Sequence, residues 1–387
     1  FGSKRAVLLT SLPHCLAWTC FLVSQTVPAL YLARLLNGCS LGMYYGTFPL
    51  YIGEISNPRI RGTLITFVAQ GLILGASVGN LIGAYASLVV FAAIALSLSV
   101  LFFLSFMMFP DSPHYLVREG RLAEAELSLK FYNRQVDVQT ELELLINFTG
   151  HQKKLPLREA IRLLKDPFNR KIVILVNTFY IFTQLSGIFT ITLYMEIILS
   201  ELRVSVIAPH LAVIAVGLIG FVTAVTSMYI NDHFGRKVVL AISSFGLSFD
   251  LFAIGMIYWV IHHGQDHVVL QWLSIAALLF YQICVCIGIL PIPNCLMSEM
   301  FPPELKELGS FLANVLSSLC AFIATRTFQP MIDATSHEFV FWFYAVLVLA
   351  LFIYAVIVMP ETKGKSLQEI QEMMMKSDTK SRSQPEN

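Results

Sequence analysis

The chain has 387 residues, of which 56% are hydrophobic and only 13% are charged. Soluble domains contain about 25% charged residues, so this composition excludes an ordinary soluble protein and indicates a polytopic membrane protein. The net charge at pH 7 is +1 and the basic residues are spread along the chain. That distribution excludes nucleic acid as a partner, because such a partner requires a concentrated basic surface.

Ten apolar stretches are long enough to cross a bilayer as helices, since about 20 residues are needed. The chain is therefore predicted to be all-α, with a helix bundle at 1–109, a cytoplasmic helical linker at 110–170, a six-helix bundle at 171–360 and a cytoplasmic tail at 361–387. The predicted spans lie near 6–25, 30–52, 64–86, 88–109, 171–198, 208–230, 238–262, 269–297, 309–331 and 339–359.

A short basic tag occurs twice, as FGSKR at 1–5 and as FGRK at 234–237, each time directly before an apolar run. In a membrane protein, duplicated halves favour a transporter, because alternating access is commonly built from repeats. Two spans precede the second tag within its half, whereas none precedes the first. We therefore expect that the first two helices of a twelve-helix protein are missing from this chain.

The loops that carry lysine and arginine indicate the orientation. Such residues are concentrated in short cytoplasmic loops, and here they lie at 4–5, 59–61 and 236–237, in alternate loops. We therefore expect these loops, the linker and both ends of the chain to be cytoplasmic.

Some residues inside the predicted spans have a physical role of their own. Pro291 and Pro293 remove backbone donors and predict a broken helix, which is tolerated at membrane depth where it lines a cavity. Asp250 lies near mid-span, where a charge is costly. We expect it to bond Ser248 or a neighbouring helix, with a role in ion coupling as the alternative.

Glycines recur every fourth residue in the second predicted span, at Gly38, Gly42 and Gly46. This spacing places them on one helix face, where small side chains allow another helix to approach closely. We expect this face to be a packing surface.

The residues that an enzyme would need do not stand out. The sequence lacks an evident nucleophile–base pair, metal-ligand spacing or phosphate-binding loop, so it predicts neither an enzyme nor a cofactor or bound metal. The seven cysteines all lie in apolar stretches, where cysteine behaves as a small hydrophobic residue.

A set of motifs occurs in order along almost the whole chain. Besides the duplicated tag, they are the Leu36–Gly38 segment with Gly42, Glu54 with Arg61-Gly62, PDSPHYL at 110–116, QLSG at 184–187 and PETKG at 360–364. Together they resemble the sugar porters of the major facilitator superfamily, and within it the insect facilitated trehalose and glucose transporters. The resemblance implies two six-helix bundles around a central cavity for a small sugar.

Charged residues at predicted cytoplasmic helix ends form a candidate inner gate. Ion pairs that form in one state and break in the other can bias a two-state equilibrium, although the same residues can serve only to fix topology. The gating candidates are Glu54, Arg61, Asp232, Arg236 and Glu299, the hinge prolines Pro291 and Pro293, and Tyr194, which the resemblance implies as an outer-gate aromatic.

Sugar binding requires amide and hydroxyl groups to meet the ring hydroxyls, and an aromatic face for the apolar side of the ring. From the resemblance, the substrate-binding candidates are Gln184, Thr183, Asn294, Ser317, Gln70 and Phe189. Several differ from the residues usual in the family. Thr183 replaces a glutamine, Phe189 an asparagine and Asn294 a tryptophan.

These features together predict facilitative transport of trehalose or a hexose by alternating access in the plasma membrane, with the sugar and the lipid bilayer as partners. Two alternatives stay open, a non-transporting sugar sensor and a carrier of another small solute such as a polyol. Proton-coupled relatives pair an arginine at the position of Arg34 with an aspartate on the first helix. That helix is not in this sequence, and uniport is the prediction.

Overall fold

The computed structural model describes residues 2–56, 61–132, 138–151, 157–264, 268–301, 303–361 and 369. All regular structure in these residues is helical, which confirms the all-α prediction. The chain divides into two compact units, residues 1–153 and residues 154–387. Helices of the predicted linker 110–170 are shared between these units, with three in the first and one in the second.

The first unit consists of four long helices followed by three short ones. Serine side chains cap two of their N-termini, since the Ser87 hydroxyl accepts the N–H of Val90 and the Ser112 hydroxyl accepts that of Tyr115. The helices are α1 (Ser3–Val23), α2 (Val27–Ile55), α3 (Arg61–Tyr85), α4 (Leu88–Met107), α5 (Pro113–Arg118), α6 (Leu122–Tyr132) and α7 (Val138–His151).

Small side chains hold the long helices of the first unit together. Ala17 of α1, Ala33 of α2 and Ala92 of α4 are fully buried and pack with Phe21. On the same side of α2, the Ser40 hydroxyl donates to the Thr10 carbonyl of α1 at 2.8 Å. Close helix contact in this unit is therefore made through alanine and serine.

The glycine face of α2 behaves differently from the expectation. A Cβ added to Gly38, Gly42 or Gly46 would have no other atom within 4 Å in the described structure. Within the first unit this face is therefore not a packing surface, because α2 meets α1 through the face that carries Ala33 and Ser40.

The second unit contains the other helices. The Asp166 side chain caps the first long one by accepting the N–H groups of Phe168 and Asn169, with Pro167 at the first helical position. The helices are α8 (Leu157–Leu164), α9 (Pro167–Leu185), α10 (Ile188–Glu201), α11 (Pro209–Phe234), α12 (Arg236–His262), α13 (Val268–Cys284), a π-helical turn (Val285–Ile289), α14 (Pro291–Met300), α15 (Pro303–Ala334) and α16 (His337–Val358).

The core of this unit runs along the contact between α12 and α16. Leu247 and Leu251 of α12 and Val348 and Leu351 of α16 are completely buried there. Asp250 lies on the same stretch of α12 and is 4% exposed, and its Oδ2 atom has no hydrogen-bond partner among the described residues. Ser248 does not bond this carboxyl group, because its hydroxyl donates to the Ala345 carbonyl at 2.9 Å.

Helices occupy all ten positions at which membrane spans are predicted. Among the described residues, eight helical segments are long and apolar enough to cross a membrane. Two of the eight are interrupted helices, α9 with α10 and α13 with α14. The helix α2 is not among these eight, and it contains several glycine and polar residues. The chain is thus a multi-pass membrane protein.

Each interrupted span has a local cause in the sequence. Gly187 adopts φ +75° between α9 and α10, a left-handed conformation that favours glycine. Pro291 has no N–H with which to continue α13. Before it the helix widens to a π-turn, in which the Leu290 N–H donates to the Val285 carbonyl at 3.0 Å.

Candidate functional site

Polar residues form a line along α9 in the second unit. Asn177, Tyr180 and Gln184 are spaced i, i+3 and i+7, which places them on one helix face. Thr183 lies beside this face. We call these four residues the α9 polar stripe. Asn177, Tyr180 and Thr183 are each less than 9% exposed, so these polar side chains are buried within the second unit.

One end of the α9 polar stripe is bonded to α15. The Gln184 side-chain amide donates to the Ser317 hydroxyl at 2.9 Å, which brings together two of the predicted substrate-binding residues. Thr183 is 4% exposed, and its hydroxyl oxygen has no hydrogen-bond partner among the described residues. An unsatisfied buried hydroxyl is costly, and this one can bond a polar ligand group that comes within reach.

The other end of the stripe is bonded to α14. The Tyr180 hydroxyl donates to Asn294 Oδ1 at 2.6 Å. Asn294 is itself exposed, and its amide nitrogen donates to the Leu290 carbonyl at 3.2 Å. Asn294 therefore lies directly after the helix break at Pro291, on the first turn of α14.

Next to the stripe, α10 carries the predicted outer-gate residue. The Tyr194 ring packs on Phe328 of α15 with ring centroids 5.2 Å apart. The Thr190 and Thr325 hydroxyls are hydrogen-bonded at 3.1 Å between the same two helices. The predicted aromatic Phe189 is 50% exposed, so it presents its ring outside the core of the unit.

Aromatic side chains surround the break between α9 and α10. The Tyr281 hydroxyl of α13 donates to the Ile188 carbonyl at 2.9 Å. A Cβ at Gly187 would collide with the Tyr344 ring of α16. The break is thus enclosed by two neighbouring helices and is a defined feature of the fold.

The charged candidates of the second unit meet at the start of α12. Arg236 Nη2 lies 3.0 Å from Glu299 Oε1, and both side chains are at most 25% exposed. The Glu361 carboxylate accepts the backbone N–H groups of Arg236 and Lys237 at 3.1 and 3.2 Å. Glu361 thereby caps the N-terminus of α12, where a carboxylate is favoured electrostatically. The Asp232 side chain lies outside the described residues.

The candidates of the first unit have other surroundings. Both the Ser3 and the Ser112 hydroxyls donate to Glu54 Oε2, each at 2.5 Å. Gln70 on α3 is 7% exposed, and its side-chain amide oxygen, Oε1, has no hydrogen-bond partner among the described residues. The Arg61 side chain is not among the described ones. Within the described residues, the Glu54 carboxylate is thus held by two hydroxyl groups.

Sequence reasoning missed Tyr180 and Asn177, although a signal for both was present. Polar residues at i, i+3 and i+7 in an apolar span mark one face of a helix, and only the end of that face, at Gln184, was selected. The contact between Tyr180 and Asn294 joins residues 114 positions apart. No local pattern predicts a pairing at that distance.

Comparison with known sequences finds a family model and similar proteins. The model of the family described as sugar (and other) transporter matches residues 1–374. The facilitated trehalose transporter Tret1 of Bombyx mori is 29% identical, covering 100% of this chain and 77% of its own length. The corresponding protein of Polypedilum vanderplanki is 28% identical, covering 97% of this chain and 74% of its own length.

Solved structures of a bacterial sugar transporter show the same fold. The inward-open xylose transporter XylE from E. coli has a TM-score of 0.79 at 20% identity, covering 96% of this chain and 83% of that one. The proton:xylose symporter XylE bound to 6-bromo-6-deoxy-D-glucose has a TM-score of 0.74 at 21% identity, covering 97% and 84%. The fold is therefore that of the major facilitator superfamily. The match over nearly the entire chain confirms the resemblance read from the motifs, and the chain belongs to the sugar (and other) transporter family.

Proposed function

We propose that this protein carries trehalose or a hexose across the plasma membrane as a uniporter, by alternating access, with both ends of the chain in the cytoplasm. The observation that carries the proposal is the α9 polar stripe, in which amide and hydroxyl groups meet α14 and α15 inside the second unit. Trehalose is favoured by the insect relatives, which are named as facilitated trehalose transporters.

The chemistry of such a carrier is an exchange of hydrogen bonds. In the state described here the Gln184 amide is bonded to the Ser317 hydroxyl. A sugar hydroxyl can replace this partner, and the Thr183 hydroxyl gains a bond at the same time. Matched hydrogen bonds of this kind discriminate strongly against molecules that lack the hydroxyl, because they leave buried groups unpaired. No covalent step is needed.

The same structure offers the parts that a two-state carrier requires. The π-turn before Pro291 and the break at Gly187 are places where a helix can bend. The Arg236–Glu299 pair and the hydroxyl-bonded Glu54 are the proposed inner-gate elements, and Tyr194 on Phe328 is the proposed outer one. An alternating-access cycle would form and break such contacts.

A non-transporting sugar sensor is the second candidate. It is favoured by the observation that Gln184 is bonded to Ser317 and Asn294 to Tyr180. Polar groups that satisfy each other have less to gain from a ligand. In a sensor the sugar would bind without being released on the other side.

Uptake of labelled trehalose and glucose into oocytes that express the chain tests the proposal. We expect saturable uptake that Gln184→Leu reduces by about tenfold or more, the effect of losing one or two hydrogen bonds. Gln329→Leu is the matched control, since Gln329 is exposed on α15 and bonded only to Asp333 in the described structure. Sugar binding without uptake, at normal surface abundance, would favour the sensor.

A further inference from the structure

Tyr180 is a buried tyrosine whose hydroxyl contacts two residues of α14. It is 7% exposed, and its hydroxyl lies 2.6 Å from Asn294 Oδ1 and 3.8 Å from Met297 Sδ, both on α14. The ring itself belongs to the hydrophobic core of the second unit. A phenylalanine would fill the same space, and the hydroxyl adds the hydrogen bond to Asn294.

Asn294 is held from two sides. Its oxygen accepts the Tyr180 hydroxyl, and its nitrogen donates to the Leu290 carbonyl at 3.2 Å. A side-chain amide has two N–H donors and an oxygen with two lone pairs. After these bonds, one N–H and one lone pair are left, and the residue is exposed.

An exposed asparagine on the surface of a helix would ordinarily sample several rotamers, and its amide could turn to exchange oxygen for nitrogen. The Tyr180 bond removes this freedom, because the hydroxyl donates to the oxygen while the backbone carbonyl binds the nitrogen. The amide is therefore pre-oriented before any ligand arrives, which lowers the entropic cost of binding.

We propose that Tyr180 is a positioning residue for the substrate, and that it fixes the Asn294 amide so that the remaining N–H and lone pair bind a sugar hydroxyl. The substrate class is a polyhydroxylated molecule whose hydroxyl can both donate and accept. This inference rests on the proposed function, since it assigns a residue to the same site.

A purely structural role predicts a different result. The bond also ties α9 to α14 one turn beyond the π-turn, so it could serve only to hold the hinge in one state. Losing such a contact changes the rate of interconversion for every substrate alike. Losing a positioning contact weakens substrate binding, and weakens it most for molecules that use the hydroxyl in question.

The decisive variant is Tyr180→Phe in the full chain, measured by uptake of trehalose, glucose and singly deoxygenated glucose analogues. We expect KM for the preferred sugar to rise about tenfold, the worth of one oriented hydrogen bond, with the maximal rate and surface abundance unchanged. One deoxy analogue should be affected much less. Tyr258→Phe is the matched control, because Tyr258 is also buried but its hydroxyl bonds the Ile198 carbonyl, away from the stripe.

A second variant tests whether Tyr180 acts through Asn294. Asn294→Ala should raise KM as much as Tyr180→Phe or more, and the double variant should be no worse than Asn294→Ala alone. Additive effects, a change only in maximal rate, or an equal effect on every analogue would overturn the inference.

Sugar-induced thermal stabilisation of the purified protein separates this inference from the proposed function. If the parent chain binds trehalose or glucose but takes up neither, the transport proposal fails, and weakened binding in Tyr180→Phe still supports the positioning role. If the parent chain shows neither binding nor uptake with any sugar, both are overturned.

Discussion

Gly187 separates α9 from α10 at φ +75°, a conformation that costs a residue with a Cβ about 1–2 kcal/mol. Its position also lies against the Tyr344 ring, so that a side chain would collide with it. Two separate penalties therefore act at one residue. Gly120, between α5 and α6, has nearly the same φ of +77° but has no other atom within 4 Å of where its Cβ would lie.

This pair of glycines gives a clean stability prediction. Gly187→Ala should lower the melting temperature of the purified protein clearly more than Gly120→Ala does, since overpacking adds about 1–3 kcal/mol to the strain. Differential scanning fluorimetry in detergent measures both. Equal losses in the two variants would show that the Tyr344 ring moves aside at little cost.

Asp250 presents the opposite case, a polar group whose removal should not harm the protein. The residue is 4% exposed, with an oxygen that lacks a hydrogen-bond partner in the described part of the chain. Burying a carboxylate without a partner is unfavourable. We expect Asp250→Asn to keep or raise the melting temperature and to leave uptake unchanged.

The exposed Asp333 on α15 supplies the control variant, Asp333→Asn. Uptake measured with and without an imposed proton gradient distinguishes the possibilities. A loss of gradient-driven uptake in Asp250→Asn alone, at normal surface abundance, would assign Asp250 to ion coupling.

At the scale of elements, the break between α13 and α14 lies at Pro291, the first of two prolines that lack an N–H group. Pro291 cannot donate to a carbonyl in the preceding turn, and the helix passes through a π-turn before it. Pro209 also begins a helix, but a loop precedes it. A residue with an N–H group at position 209 would therefore find no helical carbonyl to bond.

Replacing the proline by a residue with an N–H group should therefore straighten the helix at 291 but change nothing at 209. We expect Pro291→Ala to slow maximal uptake by about tenfold, equivalent to about 1.4 kcal/mol in the barrier, without loss of surface protein. Pro209→Ala should transport normally. Normal uptake by Pro291→Ala would exclude the π-turn as a hinge.

The sequence predicted the helices better than their interruptions. Apolar length alone predicted a helix at each of ten positions where the structure has one, because about 20 residues must cross the bilayer whichever way the side chains face. The span predicted at 171–198 is divided at Gly187, since a left-handed glycine ends α9 there. The prolines did indicate the second break, but not that it takes the form of a π-turn.

The sequence did not predict which side chains bond each other between helices. Gln184 and Ser317 were selected separately from the resemblance, and nothing in either neighbourhood states that they bond each other. The same holds for Tyr180 and Asn294. Such pairs depend on the rotation and depth of each helix, which the packing of the entire unit determines. For the same reason the sequence did not show that α2 meets α1 through Ala33 and Ser40 rather than through its glycines.

At the scale of the whole molecule, the distribution of basic residues makes a prediction about topology. Gln25, in the loop between α1 and α2, should face outside, and Glu119, after α5, should face the cytoplasm. Both positions are exposed. A membrane-impermeant maleimide should therefore label Gln25→Cys in intact cells, and Glu119→Cys only after permeabilisation.

The parent chain, with its seven native cysteines, gives the background for this labelling. Labelling of Glu119→Cys in intact cells, with Gln25→Cys protected, would invert the proposed orientation. Equal labelling of both before permeabilisation would indicate damaged cells rather than a topology.

The charged cluster at the start of α12 makes a second prediction at this scale. Reversal of Arg236 alone, as Arg236→Glu, should reduce uptake more than surface abundance, because Glu299 loses its partner. The combination Arg236→Glu with Glu299→Arg should recover part of the uptake. Unchanged uptake in the single variant would remove this pair from the gate.

Glu299 and Glu361, the two carboxylates of that cluster, differ in which substitutions we expect among relatives. Glu299 binds a side chain, so a change at either position can be compensated by a change at the other. Glu361 binds the main-chain N–H groups of residues 236 and 237, which are present whatever side chains stand there. Loss of the acceptor at 361 therefore breaks these two main-chain bonds whatever residues stand at 236 and 237. We expect the charges at 236 and 299 to vary together among relatives, and position 361 to keep a hydrogen-bond acceptor.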